Sequence, residues 1–208
     1  MDKTGQLIII SGFAGTGKGT LVKKLLELYN DSYVLSISAT TRAPRPGETD
    51  GREYFFKTVD EFEAMIEAGA LLEHARFVDN YYGTPADFVR AKQEEGKNVI
   101  LEIEIQGALS IKERYPEAVL IFVVPPDADE LERRLRGRGT ETDEVIKKRL
   151  ARACEESEGI ESYDYIVVND SIEDCARRTH AIIQAAAYAP VRQAGFIGRL
   201  RSELKRFS

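Results

Sequence analysis

Residues 12–20, "GFAGTGKGT", decide the fold of this chain, because they form a glycine-rich turn between a predicted strand and a predicted helix. Before the turn, "LIIIS" is an unbroken apolar run that favours a buried strand of a parallel sheet. After it, "KGTLVKKLLELY" carries Leu21, Leu25 and Leu28 at helical spacing. The backbone amides of such a turn and the positive end of the next helix converge on one point, which suits an anion. The stretch therefore predicts a phosphate-binding loop, in preference to an ordinary turn with a surface lysine.

The loop also predicts which residues bind ATP. Glycines allow close backbone approach, and Lys18 supplies a cation for the β- and γ-phosphates. We expect ATP to be bound by Gly12, Phe13, Ala14, Gly15, Thr16, Gly17, Lys18, Gly19 and Thr20. The phosphate-loop pattern has Ser or Thr after the lysine, where this chain has Gly19, as the similar loops of adenylate kinases do. Either Thr20 supplies the missing hydroxyl for Mg²⁺, or phosphates and water hold most of the metal.

The rest of the chain alternates between apolar strand patterns and amphipathic helix patterns. This alternation predicts an α/β fold with a mainly parallel sheet, and "YVLSIS" (residues 33–38) is one of its predicted strands. Two polar segments interrupt it, residues 38–57 and residues 137–143. In such sheets, excursions at the carboxyl ends of strands commonly hold ligands.

Composition limits the classes of function. The 208 residues suit one domain with small inserted lobes, and the net charge of −6 argues against a general nucleic-acid binder. No apolar run is long enough to span a membrane. The N-terminus has no signal-peptide pattern, and Cys154 and Cys175 form no disulfide or metal pattern. We therefore expect a cytoplasmic protein that binds neither nucleic acid nor membrane.

Residues 40–56, "TTRAPRPGETDGREYFF", carry the most specific pattern. They resemble the guanylate kinase signature T-[ST]-R-x-x-[KR]-x-x-[DE]-x-x-G-x-x-Y-x-F at every specified position. "LLEHARF", "NYYGT", "QGA", "LRGRGTET" and "VVND" extend the resemblance over residues 6–187. It implies a P-loop NTPase-type core (residues 1–37, 86–133 and 151–189), an inserted GMP-binding lobe (38–85) and a small lid (134–150). A basic tail, residues 190–208, lies beyond the resemblance and has the pattern of an amphipathic helix.

The resemblance also implies how the acceptor is held. The GMP phosphate would contact Arg42, Arg45, Tyr54 and Tyr82, since guanidinium and hydroxyl groups suit a dianion. Glu73 would accept hydrogen bonds from guanine N1–H and N2–H₂, with Ser38 and Thr84 at O6. Adenine would leave this carboxylate unpaired, which opposes AMP as acceptor.

Glu102 and Glu104 stand where the family commonly has D-[IV]-D. Their spacing predicts that both lie on one strand with their carboxylates on the same face, near the phosphate loop. One would serve Mg²⁺ through water and the other GMP, and which does which stays open. The candidate metal residues are therefore Thr20 and Glu102.

The remaining implied residues belong to the lid and the adenine side. Arg134, Arg138 and Arg149 match the family's lid arginines, and with Lys18 they would stabilise the transferring phosphoryl group. Asn169 matches an adenine-side contact, although a strand-end turn would have the same residues. The implied activity is Mg²⁺-dependent phosphoryl transfer from ATP to GMP, and the oligomeric state stays undecided. The alternatives are a non-catalytic scaffold that binds phosphorylated peptides and a kinase for sugar phosphates.

Overall fold

The computed structural model describes residues 4–77, 79–137, 139 and 142–207. The strands are β1 (Leu7–Gly12), β2 (Tyr33–Leu35), β3 (Ala39–Thr40), β4 (Phe55–Phe56), β5 (Leu71–Phe77), β6 (Asn80–Pro85), β7 (Asn98–Glu102), β8 (Val119–Val124) and β9 (Tyr165–Val168). The helices are α1 (Lys18–Leu28), α2 (Val59–Glu67), α3 (Ala86–Glu94), α4 (Ile105–Arg114), α5 (Ala128–Gly137), α6 (Asp143–Ser157), α7 (Ile172–Ala186) and α8 (Ala194–Leu204). Short 3₁₀ turns occupy Ile160–Ser162, Pro190–Gln193 and Lys205–Phe207.

A parallel five-stranded sheet forms the centre of the molecule, in the order β2-β7-β1-β8-β9. The apolar run of β1 is buried on both faces, because helices cover both sides of the sheet. Ile8 and Ile10 belong to the core cluster that includes residues of α1 and α7, whereas Leu7 and Ile9 belong to the cluster with α3 and α4. This arrangement confirms the predicted α/β fold with a mainly parallel sheet.

A second sheet of four strands, in the order β4-β3-β6-β5, lies between β2 and α3 in the chain. It is mixed, since β3 pairs in parallel with β4 and antiparallel with β6. Its own small core contains Ala39, Phe62 and Leu71. Helix α2 joins its strands, and Thr58 and Glu61 form a capping box at the start of that helix.

Two predictions about strands were wrong. The predicted strand over residues 33–38 is shorter, because β2 ends at Leu35 and the chain then crosses to β3 in the second sheet. Glu104 does not lie on the same strand as Glu102. Strand β7 ends at Glu102, opposite Ile10 of β1, and Glu104 is the N-cap residue of α4.

The C-terminal part of the chain lies outside both sheets. Helix α8 has no buried residue, and Phe196, Leu200 and Leu204 are exposed on it. Within the described residues, no helix combines the length and the apolar character needed to cross a membrane.

Candidate active site

The loop between β1 and α1 has no room for side chains at its glycines, because other elements pack closely against it. A side chain at Gly17 would place its Cβ 2.7 Å from Nδ2 of Asn169, and one at Gly15 would come within 2.9 Å of Leu135. Both glycines also have positive φ values, 95° at Gly15 and 86° at Gly17. Glycine is therefore required here for packing as well as for backbone conformation.

Lys18 is folded over this loop. Its Nζ donates hydrogen bonds to the carbonyl oxygen of Gly12 at 2.5 Å and to that of Phe13 at 3.1 Å. The lysine is the first residue of α1, and the N-cap residue Gly17 has no side chain to cap the first turn. The amides at this helix start and the ammonium group therefore surround one position that favours an anion.

The loop stands between two cavities. The larger, about 680 Å³, is lined by Gly12, Ala14 and Lys18 of the loop. The smaller, about 390 Å³, is lined by Gly15, Gly17 and Thr20. A phosphate chain on the loop would therefore reach both cavities, which suits transfer of a group from a ligand in one to a ligand in the other.

Asn169 and Arg134 line the smaller cavity. The Asn169 side-chain amide donates to the carbonyl oxygen of Thr16 at 2.7 Å. Arg134 Nη2 donates to the carbonyl oxygen of Asn169 at 2.8 Å, and its Nε donates to Glu130 at 2.6 Å. The predicted adenine-side residue and this predicted lid arginine thus meet beside the loop.

Glu73 and Thr84 form the most defined pair on the acceptor side. Thr84 Oγ1 donates a hydrogen bond of 2.7 Å to Glu73 Oε1. Strand β5 shifts register between Leu71 and His74, and such bulges turn a side chain away from regular alternation. Burial raises the pKa of the Glu73 carboxyl, against the opposing effect of the Thr84 hydrogen bond. The site therefore holds a recessed carboxylate with Oε1 fixed in place.

Arg42 lies in a cluster with Tyr54. Its Nη2 donates to Glu48 Oε1 at 2.9 Å, and the guanidinium lies 5.3 Å from the centre of the Tyr54 ring. The Tyr54 and Tyr82 rings are 6.1 Å apart. The pKa of Arg42 is raised, chiefly by its hydrogen bond to Glu48. The structure thus brings together three of the predicted phosphate contacts, while Arg45, which is exposed, meets Glu48 through its backbone amide at 2.7 Å.

Ser38 and Thr84 line the larger cavity together with Glu102 and Glu104. Burial raises the pKa of the Glu102 carboxyl, while the charges of Lys18 and Lys23 act in the opposite direction. The carboxylate of Glu102 faces the loop, since a Cβ on Gly19 would lie 3.7 Å from Oε2.

Thr20 lines the smaller cavity, so the structure does not bring the two candidate metal residues, Thr20 and Glu102, to one cavity. Position 19, where phosphate loops usually carry the hydroxyl, is the one that faces Glu102.

Helix α6 contributes further residues to the larger cavity. Arg149, one of the predicted lid arginines, lines it, whereas Arg138 lies outside the described residues. Sequence reasoning missed Arg152, which also lines the cavity and donates to Glu104 at 2.7 Å. It also missed Glu156, the partner of Arg152 at 2.8 Å. Arg152 follows Arg149 by three residues and Glu156 follows Arg152 by four, which places all three on one face of α6. This spacing could have identified them from the sequence.

Comparisons with known proteins agree on one family. The guanylate kinase family model matches residues 4–186. A guanylate kinase of Lactococcus lactis is 51% identical over 188 residues, covering 90% of this chain and 91% of that protein. One of Halalkalibacterium halodurans is 54% identical over 181 residues, covering 87% and 88%. One of Streptococcus thermophilus is 45% identical over 208 residues, covering 100% and 99%, so the similarity there includes the C-terminal tail.

A solved structure gives the same result. The crystal structure of guanylate kinase from Anaplasma phagocytophilum superposes with a TM-score of 0.71 at 34% sequence identity. The superposition covers 97% of this chain and 94% of that one.

Proposed function

The chain belongs to the guanylate kinase family of phosphotransferases, and on this premise we propose that it transfers the γ-phosphoryl group of ATP to GMP, giving ADP and GDP. The observation that carries the proposal is the position of the phosphate loop between two cavities, with Lys18 at the larger one. The Glu73–Thr84 pair stands on the acceptor side. ATP would lie along the smaller cavity and the loop, and GMP in the larger cavity.

Phosphoryl transfer needs the two nucleotides in line and the developing charge stabilised. Lys18 would leave the carbonyl oxygens of Gly12 and Phe13 and donate to the phosphates instead. Arg42 would exchange part of its pairing with Glu48 for the GMP phosphate, with the Tyr54 and Tyr82 hydroxyls beside it.

Glu73 would accept the two donors on the guanine edge while Thr84 donates to its Oε1, which leaves the Ser38 hydroxyl as the predicted donor to guanine O6. AMP carries no such pair of donors, so Oε2 of this half-buried carboxylate would lack a partner beside adenine. This supports GMP over AMP as the acceptor.

The residues present fit a Mg²⁺ ion bound with ATP. Within the described part of the chain, no group of three or more His, Cys, Asp or Glu side chains is placed to hold a metal alone. Glu102 faces the loop across the space left by Gly19, so it would hold the ion through water while phosphates supply other ligands. The ion would neutralise charge on the transferred group.

The proposed mechanism includes closure of two segments over the bound nucleotides. Residues 38–85 would form a GMP-binding lobe and residues 134–150 a lid, with Arg134, Arg138 and Arg149 reaching the transferring group as the lid closes. Arg134 already reaches the loop, because its Nη1 lies 3.4 Å from the carbonyl oxygen of Thr16. Closing would keep water from the γ-phosphoryl group.

The two other classes have less support. A scaffold would not need Lys18 or the loop glycines, and both are present with phosphate-loop geometry. A sugar-phosphate kinase would have no use for the recessed Glu73 carboxylate.

We further propose a cytoplasmic location, because both cysteines are free thiols, as is usual in a reducing compartment.

The test measures ADP release from ATP and Mg²⁺ with GMP, dGMP, AMP, CMP or UMP as acceptor. We expect fast turnover with GMP and a loss of at least about 10²-fold in kcat/KM with AMP. Binding of GMP without ADP release would support the scaffold instead.

A further inference from the structure

Gly107, near the start of α4, faces the carboxylate of Glu73. A side chain there would place its Cβ 3.3 Å from Glu73 Oε2 and 3.4 Å from Ile103 Cδ1. This is closer than most contacts of real Cβ atoms, so either the carboxylate or the helix would have to move.

Helix α4 is held and has little freedom to retreat. Ala108 and Ile111 on its inner face are fully buried in the main core cluster. At its far end, Arg114 Nη1 donates to the carbonyl oxygen of Leu72 at 2.8 Å, next to Glu73 on β5. Packing and this hydrogen bond therefore fix the helix against the strand that carries the carboxylate.

The backbone of Glu73 is held as well. On its other side lies Gly83 of β6, where a Cβ would come within 2.9 Å of the Glu73 carbonyl oxygen. Thr84 Oγ1 fixes Glu73 Oε1 at 2.7 Å. The part that would yield to a side chain at residue 107 is therefore Oε2, through a tilt of the carboxylate about the Oε1 that Thr84 holds.

We propose that Gly107 is a positioning residue for guanine specificity: its missing side chain lets Glu73 Oε2 lie where guanine requires it. This rests on the proposed GMP kinase function. Guanine offers N1–H and N2–H₂ side by side in one plane, and both hydrogen bonds weaken when the acceptor plane turns. Gly107 touches no reacting atom in this account and acts only through Glu73.

The substitution Gly107→Ala isolates this effect. We expect KM for GMP to rise about three- to tenfold, short of the roughly 10²-fold that a displacement of 1 Å can cost. The kcat at saturating GMP and the KM for ATP should stay within about twofold. Alanine is the better helix former, so the variant should melt at or above the wild-type temperature. A merely structural glycine would leave KM for GMP unchanged.

Gly198→Ala is the matched control, because Gly198 also lies in a helix and no atom would meet its Cβ within 4 Å. It should leave KM for GMP at the wild-type value. An equal rise in both variants would contradict the proposal.

The decisive step combines Gly107→Ala with Glu73→Ala. Once the carboxylate is absent, the added methyl group has nothing to displace, so the double variant should have the same KM for GMP as Glu73→Ala alone. Additive effects would show that Gly107 acts elsewhere and would overturn the inference. A wild-type enzyme that neither binds nor phosphorylates GMP would overturn the proposed function as well, whereas an unaffected Gly107→Ala variant in an active enzyme would overturn this inference alone.

Discussion

The two sides of the site are built in different ways. On the donor side, consecutive residues of one loop offer backbone groups and Lys18, and packing by Asn169 and Leu135 holds the glycines in place. On the acceptor side, side chains that are apart in the chain are paired with each other: Glu73 of β5 with Thr84 of β6, and Arg42 with Glu48 in the loop between β3 and β4. The donor side depends on backbone shape, whereas the acceptor side depends on partners that GMP must share or replace.

Lys18→Ala should have the largest effect, because no neighbouring backbone group can replace the charge. We expect kcat to fall by about 10²–10³-fold or more. GMP binding, measured by calorimetry without ATP, should change little, since the acceptor contacts are side chains elsewhere.

Lys24→Ala is the control, because Lys24 lies on the same helix and pairs with Glu27 at 3.2 Å. It should keep wild-type kcat. A Lys18→Ala enzyme with normal turnover would remove the donor side from the mechanism.

Arg42→Lys tests the paired acceptor side. Lysine keeps the charge but cannot both pair with Glu48 and lie flat near the Tyr54 ring. We expect KM for GMP to rise about tenfold while KM for ATP stays unchanged. Arg90→Lys, at a surface pair with Asp87 of 2.8 Å, should leave both constants unchanged. Equal losses for ATP and GMP would show that the two sides are not separate.

Glu73→Gln should have the smallest of these effects, a small increase in the stability of the fold. Its effect on function has the opposite sign, because the carboxylate that recognises guanine is lost. Burial raises the folded-state pKa of Glu73, so its contribution to stability is full at low pH and is lost as pH rises through that pKa. Glutamine keeps an oxygen for the Thr84 hydroxyl and avoids the buried charge. The variant should therefore melt about 1–3 °C higher than wild type at pH 8.

The difference should shrink as the pH falls, because the raised pKa lets Glu73 take up its proton before an ordinary glutamate does. Glu67→Gln, at an exposed position on α2, should show no such pH dependence. A Glu73→Gln variant that melts lower than wild type at pH 8 would contradict the burial argument.

The donor side could be predicted from the sequence because its residues are adjacent in the chain. The apolar runs of β1, β7 and β8 likewise indicated a parallel sheet, because strands covered on both faces need continuous apolar residues. Glu73, in contrast, could be singled out only through resemblance to a family, since one glutamate in a strand pattern has many ordinary explanations.

The features that could not be predicted from the sequence depend on contacts between elements that are distant in the chain. The register shift in β5 depends on its pairing with β6. The closeness of Gly107 to Glu73 requires α4 to pack on β5. Glu104 was placed on a strand because its spacing from Glu102 is that of a strand, but the pairing had already ended there. Periodicity describes one segment, whereas these features depend on the neighbours of that segment.

The acceptor preference of Glu73→Ala tests the proposed recognition of guanine most directly. It is measured as the ratio of kcat/KM for GMP to kcat/KM for AMP under saturating ATP. We expect this ratio to fall by about 10²-fold or more, while KM for ATP stays unchanged, because the carboxylate that distinguishes guanine from adenine is gone. A variant that kept the wild-type preference for GMP would show that another group recognises the base.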